Sequence, residues 1–489
     1  MKTHRRRVLA EPAFWIVLAL TVVLFAVLSR PLAVGDGLAY LIWLDSIALD
    51  GDLDLANQAE KFGAVNTYHI YLNPNTGRWA SAFPLGVALL LTPFYWLGAL
   101  LDKLPAFRIN DAHFLAIQGV PFAYSLCAMI GVNLYALLTV ALGYRIARGG
   151  FSITVRERSW GLGPWGAAAA ALATLVGTPL LFYSTVDPIN SHIAGAFAAT
   201  LALWLWLRAR AQPRALRWRE ALPWLWIGVA VGLTAVSRWQ VALIGAPVGV
   251  ELLLRRRSLR RRGERPRWRE VAALVLGFGL LAWLIPYSWW QMYGKLALIP
   301  SAEGDQNLAL VAPVHTLRVL FSPISGLFPW SPLAGLALLG LWPLACRDRW
   351  LATSLLAMFL LQALVNGAVK DWWAGVGFGM RRLAELYPVY LLCLAALLGM
   401  AKRAGMETRP TRRQRALVGV AWVAAALCAA YGLALVVARL SFTWTNPWGL
   451  ARDTPLKELR YAFSPEKRYL IWPVIKDHVG FWAWKKPGP

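Results

Sequence analysis

The chain has 489 residues, of which 58% are hydrophobic and 15% are charged, and its mean hydropathy is +0.49. This composition leaves little sequence for a soluble domain and predicts an all-α polytopic membrane protein. The net charge of +25 would suit nucleic acid, but the arginines cluster between apolar runs, as the positive-inside rule expects of cytoplasmic loops. We therefore expect membrane lipids, and no nucleic acid, among the partners.

Apolar runs of membrane length predict about 11 transmembrane helices, with a range of 11–13, in a domain that covers 1–440. The predicted spans, in chain order, are 12–29, 114–144, 164–183, 189–207, 223–236, 239–254, 271–290, 327–345, 351–369, 382–401 and 416–439. A further apolar run at 83–101 is broken by Pro93. We expect it to re-enter the membrane or to lie in the interface as a partial helix. The alternative is that 114–144 contains a short hairpin.

The basic segments between these runs predict which loops share one side. The segments expected in the cytoplasm are 145–163, 208–222, 255–270, 346–350 and 402–415. The opposite side then receives the first external loop 30–82, the loops 184–188, 294–326 and 370–381, and a short C-terminal tail, 441–489. The unusual polar residues of the chain gather on this second, non-cytoplasmic side.

Asp36 lies just beyond the first span, between Gly35 and Gly37. As a carboxylate at a membrane mouth it is a candidate general base, which would take a proton from an acceptor as the acceptor attacks a sugar carbon. Asp is also a good helix N-cap, and the apolar run from Leu38 would give it that role. Both interpretations fit the residues equally well.

Asp187 and His192 lie in the short connection between two predicted spans. A charged group this close to the hydrocarbon is costly unless it is paired or functional. The two side chains are candidates for binding a divalent metal or a sugar hydroxyl. The alternative is that Asp187 caps the next helix and that His192 forms a hydrogen bond inside the bundle.

Basic residues on the non-cytoplasmic side are candidate phosphate ligands. Arg238 is outside against the usual charge bias, while Lys370, Arg381 and Arg382 flank a glycine-rich loop. Arginines at a helix start beside exposed backbone N–H groups suit a phosphate. The alternative is an ion pair between Glu385 and Arg381 or Arg382, at helical spacing. Among the many tryptophans, Trp79, Trp372 and Trp373 are candidates for sugar stacking because they lie in these loops.

Several short motifs resemble the GT-C superfamily of membrane glycosyltransferases, in particular the branch of protein O-mannosyltransferases and aminoarabinose transferases. They are the acidic first loop from Gly35-Asp36-Gly37-Leu38-Ala39-Tyr40 to Asn57, the turn Ser81-Ala82-Phe83-Pro84-Leu85-Gly86, the segment 321–332, and Trp372-Trp373-Ala374-Gly375 with Phe378-Gly379-Met380-Arg381-Arg382. The resemblance implies a GT-C-like helix bundle with a structured first external loop.

The resemblance also implies a function. It suggests an inverting glycosyltransferase in a bacterial-type plasma membrane, with its active site on the non-cytoplasmic face. The enzyme would move a sugar from a polyprenyl-phosphate donor to a lipid, glycan or protein acceptor. The catalytic residues would be Asp36 as the base and Asp187 as a second acid that assists or holds metal.

The resemblance implies binding residues as well. The donor phosphate would meet Arg238, Arg381, Arg382 and Lys370, and the substrates would meet Tyr40, His192, Trp372 and Trp373. Two features depart from the family pattern, because Asp36 has no adjacent acid and no lysine precedes Pro84. A divalent metal at Asp187 and His192 stays an open alternative.

Two other functions remain open for a chain of this kind. A lipid-linked glycan transporter or flippase would also have many spans, but it would carry polar groups near the bilayer midplane. Here the charges gather at one mouth, which favours the enzyme. A polysaccharide polymerase or ligase would differ from the transferase only in its acceptor.

Overall fold

The structure is a computed structural model, and it describes residues 8–33, 35–63, 70–108, 111–149, 161–211, 221–261, 268–296, 312–375, 377–400, 411–445 and 454–464. The described ranges are almost entirely helical. The expectation of an all-α polytopic membrane protein is confirmed.

We number the α-helices in chain order: α1 Pro12–Leu28, α2 Asp36–Asp45, α3 Ala56–Phe62, α4 Gly86–Leu101, α5 Asp111–Gln118, α6 Phe122–Arg148, α7 Pro164–Val176, α8 Leu180–Thr185, α9 Ser191–Ala211, α10 Ala221–Ser237, α11 Gly245–Arg261, α12 Trp268–Ala282, α13 Leu284–Tyr293, α14 Thr316–Phe321, α15 Leu327–Trp330, α16 Pro332–Leu338, α17 Leu341–Ala345, α18 Arg349–Ala368, α19 Tyr387–Leu398, α20 Arg412–Thr445 and α21 Pro455–Ala462. A π-turn, Ser46–Asp50, follows α2, and 3₁₀ helices cover Pro105–Phe107, Trp239–Ile244 and Arg381–Leu386. The strands β1, Tyr71–Leu72, and β2, Trp79–Ala80, form an antiparallel hairpin.

Ion pairs identify one end of the bundle, which we call the basic end. Arg148 binds Glu11 with an Nη2–Oε1 distance of 2.5 Å. Arg210 binds Glu251 and Asp348, each at 2.9 Å. These contacts bring together the ends of α1, α6, α9, α11 and α18 next to the segments that the sequence predicts to be cytoplasmic.

Hydrogen bonds between distant segments identify the opposite end of the bundle, which we call the mouth end. The Arg30 N–H donates to the Thr185 carbonyl at 2.9 Å, and the Arg30 guanidinium donates to the Leu440 carbonyl at 2.9 Å. The ends of α1, α8 and α20 therefore meet there. Arg238, directly after α10, donates to Ser191 at the start of α9.

Within the described ranges, eleven stretches of helix coincide with the eleven predicted spans. They are α1, α6, α7 with α8, α9, α10, the 3₁₀ helix 239–244 with α11, α12 with α13, α15 to α17, α18, the 3₁₀ helix 381–386 with α19, and α20. Five helices are each long and apolar enough to cross a membrane: Phe122–Arg148, Ser191–Ala211, Trp268–Tyr293, Arg349–Ala368 and Arg412–Leu440. Many of the other crossings have a break in the helix.

Helix α4 is the apolar run at 83–101, and it covers only part of the bundle's height. It packs antiparallel to the N-terminal half of α6, with Gly98 against Tyr124 and Phe94 against Gly131. Tyr135 Oη donates to the Leu90 carbonyl at 3.0 Å. Because the helix ends level with the start of α6, the expected partial helix is present.

Small residues let two neighbouring helices cross closely. A Cβ built on Gly228 of α10 would lie 2.2 Å from the Leu274 carbonyl oxygen, and one on Gly277 of α12 would lie 2.1 Å from the Leu225 carbonyl oxygen. Gly228 and Gly232 are four residues apart, so both face α12. Such small-xxx-small faces allow backbone contact between helices in lipid, and here they fix α12 against α10.

Candidate functional site

Asp36 begins α2 and its carboxylate faces a cavity at the mouth end. Gly35 is the N-cap residue, with a φ of 53° that favours glycine, and Asp36 is the first helical residue. The Asp36 Oδ2 atom lies 2.6 Å from Arg381 Nη1. The Asp36 side chain keeps 26% of its surface exposed. The carboxylate is therefore both paired and accessible.

The cavity is lined by residues from distant parts of the chain. Its lining residues are Asp36, Tyr40, Ala82, Phe83, Pro84, Arg238, Trp239, Gln240, Val365, Asn366, Val369, Arg381 and Arg382. Three arginines and one carboxylate thus meet in one cavity that also has aliphatic and aromatic walls. Among the candidate residues named from the sequence, Asp36, Tyr40, Arg238, Arg381 and Arg382 line this cavity.

Arg238 reaches the cavity because α10 ends just before it. Its backbone is extended, with φ of −156°, which turns the chain from α10 into the 3₁₀ helix 239–244. Its Nε lies 3.0 Å from Glu385 Oε1, and its Nη1 donates to Ser191 Oγ at 2.9 Å. The Gln240 amide oxygen, turned toward the guanidinium, accepts from Nη2 at 2.9 Å.

Arg382 is held by the loop that precedes it. It donates to the Asp371 backbone carbonyl, and its Nη2 lies 3.0 Å from Asp371 Oδ2. Asp371 also accepts from the backbone N–H of Ala374 and from that of Gly375. Ala374 has a φ of 61°, a left-handed conformation that costs a non-glycine residue about 1–2 kcal/mol. The loop that presents Arg382 is thus tightly turned.

Arg381 packs directly over Gly377. A Cβ built there would lie 2.7 Å from Arg381 Cδ and 2.8 Å from Tyr183 Oη. The Phe378 N–H donates to Tyr183 Oη at 2.8 Å, which fixes this segment to α8. Glycine at 377 is therefore what lets the Arg381 side chain lie flat and reach Asp36.

The three arginines differ in where their carboxylates lie. Asp371 and Glu385 are not among the residues that line the cavity, so each holds its arginine from behind. Asp36 is a lining residue and meets Arg381 at the cavity surface. Of the three pairs, Asp36–Arg381 is the one that a ligand in the cavity contacts on both sides.

Asp187 lies next to this pair, in the connection between α8 and α9. A Cβ on Gly37 would lie 3.4 Å from Asp187 Oδ1, so the connection packs against the start of α2. Burial, reinforced by the nearby Asp36 carboxylate, raises the pKa of Asp187 to about 7. Asn190 donates to Oδ2 at 3.3 Å, and within the described ranges the buried Oδ1 atom has no hydrogen-bond partner.

His192 faces away from Asp187 toward a different carboxylate. Its Nδ1 lies 2.7 Å from Glu385 Oε1, and both side chains are at most 1% exposed. Among the described residues, no three His, Cys, Asp or Glu side chains group closely enough to hold a metal ion. Asp187 and His192, the candidate metal ligands, thus have separate surroundings.

Tyr40 lines the cavity one turn after Asp36. Its ring meets Phe83 edge to face at 5.4 Å, and Ser191 is its hydrogen-bond partner. Burial raises the pKa of Tyr40 to about 12, so the phenol stays protonated.

Four further candidates lie away from the cavity lining. Lys370 is exposed, and Trp79 pairs with Leu72 in the hairpin. Trp372 lies under the Arg318 guanidinium at 5.9 Å and meets Trp373 edge to face at 5.7 Å. Trp372 and Trp373 thus lie in the loop that precedes Arg381, and Trp79 lies in the hairpin of the first loop.

Glu385 has partners that differ from those expected by helical spacing. The expected pair with Arg381 or Arg382 is absent, because these arginines bind Asp36 and Asp371 and because Glu385 binds Arg238 and His192. Tyr183 and Gly377 were not predicted as site residues. Nothing local in the sequence marks their contacts, which join segments far apart in the chain.

The other acids of the first loop have structural partners. Asp45 accepts from Lys61 Nζ at 2.6 Å and from Tyr95 Oη at 2.8 Å. Asp50 accepts from Asn57, and Asp52 accepts from the Asp54 N–H. They tie α2, the π-turn, α3 and α4 together, and so give the first loop its structure.

The fold defines the class of protein as an integral membrane helix bundle. No family model matches the chain, and no curated protein does. Solved structures similar to it include ArnT from Cupriavidus metallidurans in the apo state, at 16% identity and a TM-score of 0.48, with 95% of this chain and 77% of that chain covered.

A second similar structure is archaeal oligosaccharyltransferase AglB from Archaeoglobus fulgidus, in complex with an inhibitory peptide and a dolichol-phosphate. It is 12% identical at a TM-score of 0.48, with 90% of this chain and 59% of that chain covered. An apo oligosaccharyltransferase of the same organism gives 12% identity and a TM-score of 0.43, with 96% and 55% covered.

Proposed function

We propose that this protein is an inverting membrane glycosyltransferase that uses a polyprenyl-phosphate-linked sugar. One observation carries the proposal: Asp36 shares a single cavity with Arg238, Arg381 and Arg382 at one end of an apolar bundle. Arginine is suited to phosphate because its planar N–H groups match two phosphate oxygens. The carboxylate beside the arginines supplies a proton acceptor, which a phosphate-binding site alone does not need.

The donor phosphate would compete with Asp36 for Arg381. In the free protein this arginine binds Asp36. An entering phosphate offers Arg381 a stronger charge-assisted partner, and the ion pair between Arg381 and Asp36 then weakens. A carboxylate without its ion pair is a stronger base. Donor binding would therefore prepare Asp36 for the acceptor.

The transfer step follows from these positions. The acceptor hydroxyl or amine attacks the anomeric carbon from the face opposite the phosphate, and the new bond to the acceptor forms as the carbon–oxygen bond to phosphate breaks. The electron pair leaves on the phosphate oxygen, where the arginines offset the developing charge. Asp36 takes the acceptor proton. Attack from the opposite face inverts the anomeric configuration.

Other residues have supporting roles in this proposal. Asp187 carries a proton near neutral pH because its pKa is raised to about 7, which limits repulsion between the two carboxylates. Tyr40 contacts the sugar or acceptor from the cavity wall. Lys370 remains a predicted donor-phosphate ligand, and Trp372 and Trp373 remain predicted substrate contacts beyond the cavity. The predicted contact of the substrate with His192 is not proposed again, because that side chain is fully buried against Glu385.

The decisive experiment measures transfer itself. Cell-envelope glycans and glycoproteins are compared by mass spectrometry with and without the gene, and the modified product identifies the sugar and acceptor. Purified protein given that donor should then release polyprenyl phosphate only when the acceptor is present. Vesicle assays that show sugar–lipid crossing without release of polyprenyl phosphate would instead establish a flippase.

The side of the membrane needs a separate test. We propose that the mouth end is non-cytoplasmic in a bacterial-type plasma membrane, that 1–440 is one transmembrane domain and that 441–489 is an external tail. Reporter tags within 255–270 should report the cytoplasm, and tags near Asn57 should report the outside. A cytoplasmic signal near Asn57 would overturn the proposed location of the active site.

A further inference from the structure

A buried, hydrogen-bonded pair, Glu385 and His192, lies behind Arg238, and the transfer step above makes no use of it. The Glu385 Oε1 atom accepts from His192 Nδ1 at 2.7 Å and lies 3.0 Å from Arg238 Nε. Glu385 is 1% exposed and His192 is fully buried. Burying a carboxylate among helices is costly, so the contacts of the pair must offset that cost.

The pair is incompletely satisfied, which argues against a purely stabilising role. Within the part of the chain that the structure describes, the second Glu385 oxygen, Oε2, and the second His192 nitrogen, Nε2, have no hydrogen-bond partner. An apolar pair of similar volume would avoid both penalties. The role of the pair therefore follows from the residues that it contacts rather than from any stability that it adds to the fold.

Its location connects both sides of the cavity. Glu385 belongs to the 3₁₀ helix that begins with Arg381 and Arg382. The His192 ring packs against Tyr183 at 4.2 Å, and Tyr183 holds the backbone of Phe378 beside Arg381. The pair thus joins Arg238 to the segment that carries the other two arginines.

The contacts of Arg238 show what the pair controls. Among described residues, Glu385, Ser191 and Gln240 are its hydrogen-bond partners. A guanidinium has five N–H groups in a fixed plane. Three partners on the protein side orient that plane, and two N–H groups remain for the cavity.

We infer that Glu385, held by His192, is a positioning residue that orients the Arg238 guanidinium toward the donor phosphate. The inference rests on the proposed function, because it names how one phosphate ligand of that site is held. For anion affinity, a positioning role and a charge-neutralising role of Glu385 predict changes of opposite sign. If Glu385 only neutralised Arg238, its removal would strengthen anion binding, whereas loss of a positioning group weakens it.

The test uses the full chain in detergent micelles and farnesyl phosphate as the probe, with binding measured by calorimetry. Arg238→Gln should weaken binding about tenfold or more, since a charge-assisted contact is lost. Glu385→Gln should weaken it about threefold to tenfold. The double variant should bind like Arg238→Gln alone, because Glu385 acts through that arginine.

A matched control separates positioning from general destabilisation. Glu458→Gln removes the carboxylate of another buried pair at the mouth end, that with Arg439 at 2.8 Å, which does not line the cavity. It should lower the thermal unfolding temperature as Glu385→Gln does and leave farnesyl phosphate affinity unchanged.

A milder variant covers the case in which Glu385→Gln does not fold. A Cβ on Gly195 of α9 would lie 2.9 Å from Glu385 Cγ, so Gly195→Ala should shift the carboxylate and weaken binding. Gly249→Ala, where a Cβ meets nothing within 4 Å, should not.

The outcomes distinguish two failures. Unchanged or tighter binding by Glu385→Gln or Gly195→Ala, with Arg238→Gln still weakened, overturns the positioning role alone. Unchanged binding by Arg238→Gln overturns the phosphate site and the proposed function with it.

Discussion

Both ends of the bundle contain buried arginine–carboxylate pairs, yet the two ends differ in what the arginines face. At the basic end Arg210 is bound by Glu251 and Asp348, and its side chain is only 6% exposed. At the mouth end Arg238, Arg381 and Arg382 each bind one carboxylate and also line a cavity. The same chemistry closes one end of the bundle and leaves the other able to bind an anion.

Among the described residues, Asp36 is the one carboxylate that lines the cavity, and its replacement should have the largest effect on sugar transfer. Asp36→Asn should reduce transfer by about a hundredfold to ten-thousandfold, because the amide cannot accept a proton. Farnesyl phosphate affinity should persist or rise, since Arg381 loses its competitor. Asp52→Asn, a turn residue of the same loop, is the control and should keep near-normal turnover. Wild-type turnover by folded Asp36→Asn would eliminate the general-base role.

The contrast between the two ends is tested by the same substitution at each. Arg381→Gln should weaken donor use by about tenfold to a hundredfold, and lysine should restore it only in part. Arg210→Gln should cost about 3–5 kcal/mol of stability, because two buried carboxylates then lose their shared arginine. Its folded fraction should bind donor normally. Donor kinetics and thermal unfolding measure the two effects, and an equal loss of affinity at both sites would erase the distinction.

A smaller effect is expected from a single methyl group under Arg381. Gly377→Ala should displace the arginine from Asp36, because the new Cβ would lie 2.7 Å from Arg381 Cδ. We expect donor affinity to fall by up to about tenfold, a fraction of a full arginine contact. Ala374→Gly in the same loop is the control, which should leave affinity unchanged and relieve about 1 kcal/mol of strain. Normal affinity in Gly377→Ala would show that Arg381 binds the donor without the space that glycine leaves at position 377.

The smallest effect concerns pH. The pKa of Asp187 is raised to about 7 in the folded protein, above the value near 3.9 of an unfolded Asp. The folded state then binds the proton more tightly, so stability contributed by Asp187 is full below pH 4 and is lost as pH rises to 7. Asp187→Asn should flatten the decline of unfolding temperature over this range. A decline of unchanged slope would mean that another group titrates there.

The sequence predicted much of this molecule where the signal is local. Apolar runs predicted eleven crossings, and Pro93 marked the run that becomes the partial helix α4. Arg238 became a candidate because the sequence predicts it on the non-cytoplasmic side, against the charge bias. Such signals need only composition and order along the chain.

The partners could not be predicted, because they depend on packing between distant segments. The alternative that paired Glu385 with Arg381 or Arg382 assumed α-helical spacing, but the segment is a 3₁₀ helix with three residues per turn. His192, its actual partner, is 193 positions away. Likewise the sequence singled out Asp36 among the first-loop acids, but it did not predict the partners of Asp45, Asp50 and Asp52, which hold the loop together.

The 3₁₀ helix Arg381–Leu386 also determines which kinds of change this site tolerates. Each residue of such a helix advances about 120° around its axis. An insertion of one residue after Arg382 would therefore turn Glu385 away from Arg238 while Arg381 stayed beside Asp36. A side-chain replacement alters one contact, whereas a change of length here would uncouple two of the three arginines from each other. We expect this segment to accept new side chains more readily than a new residue count.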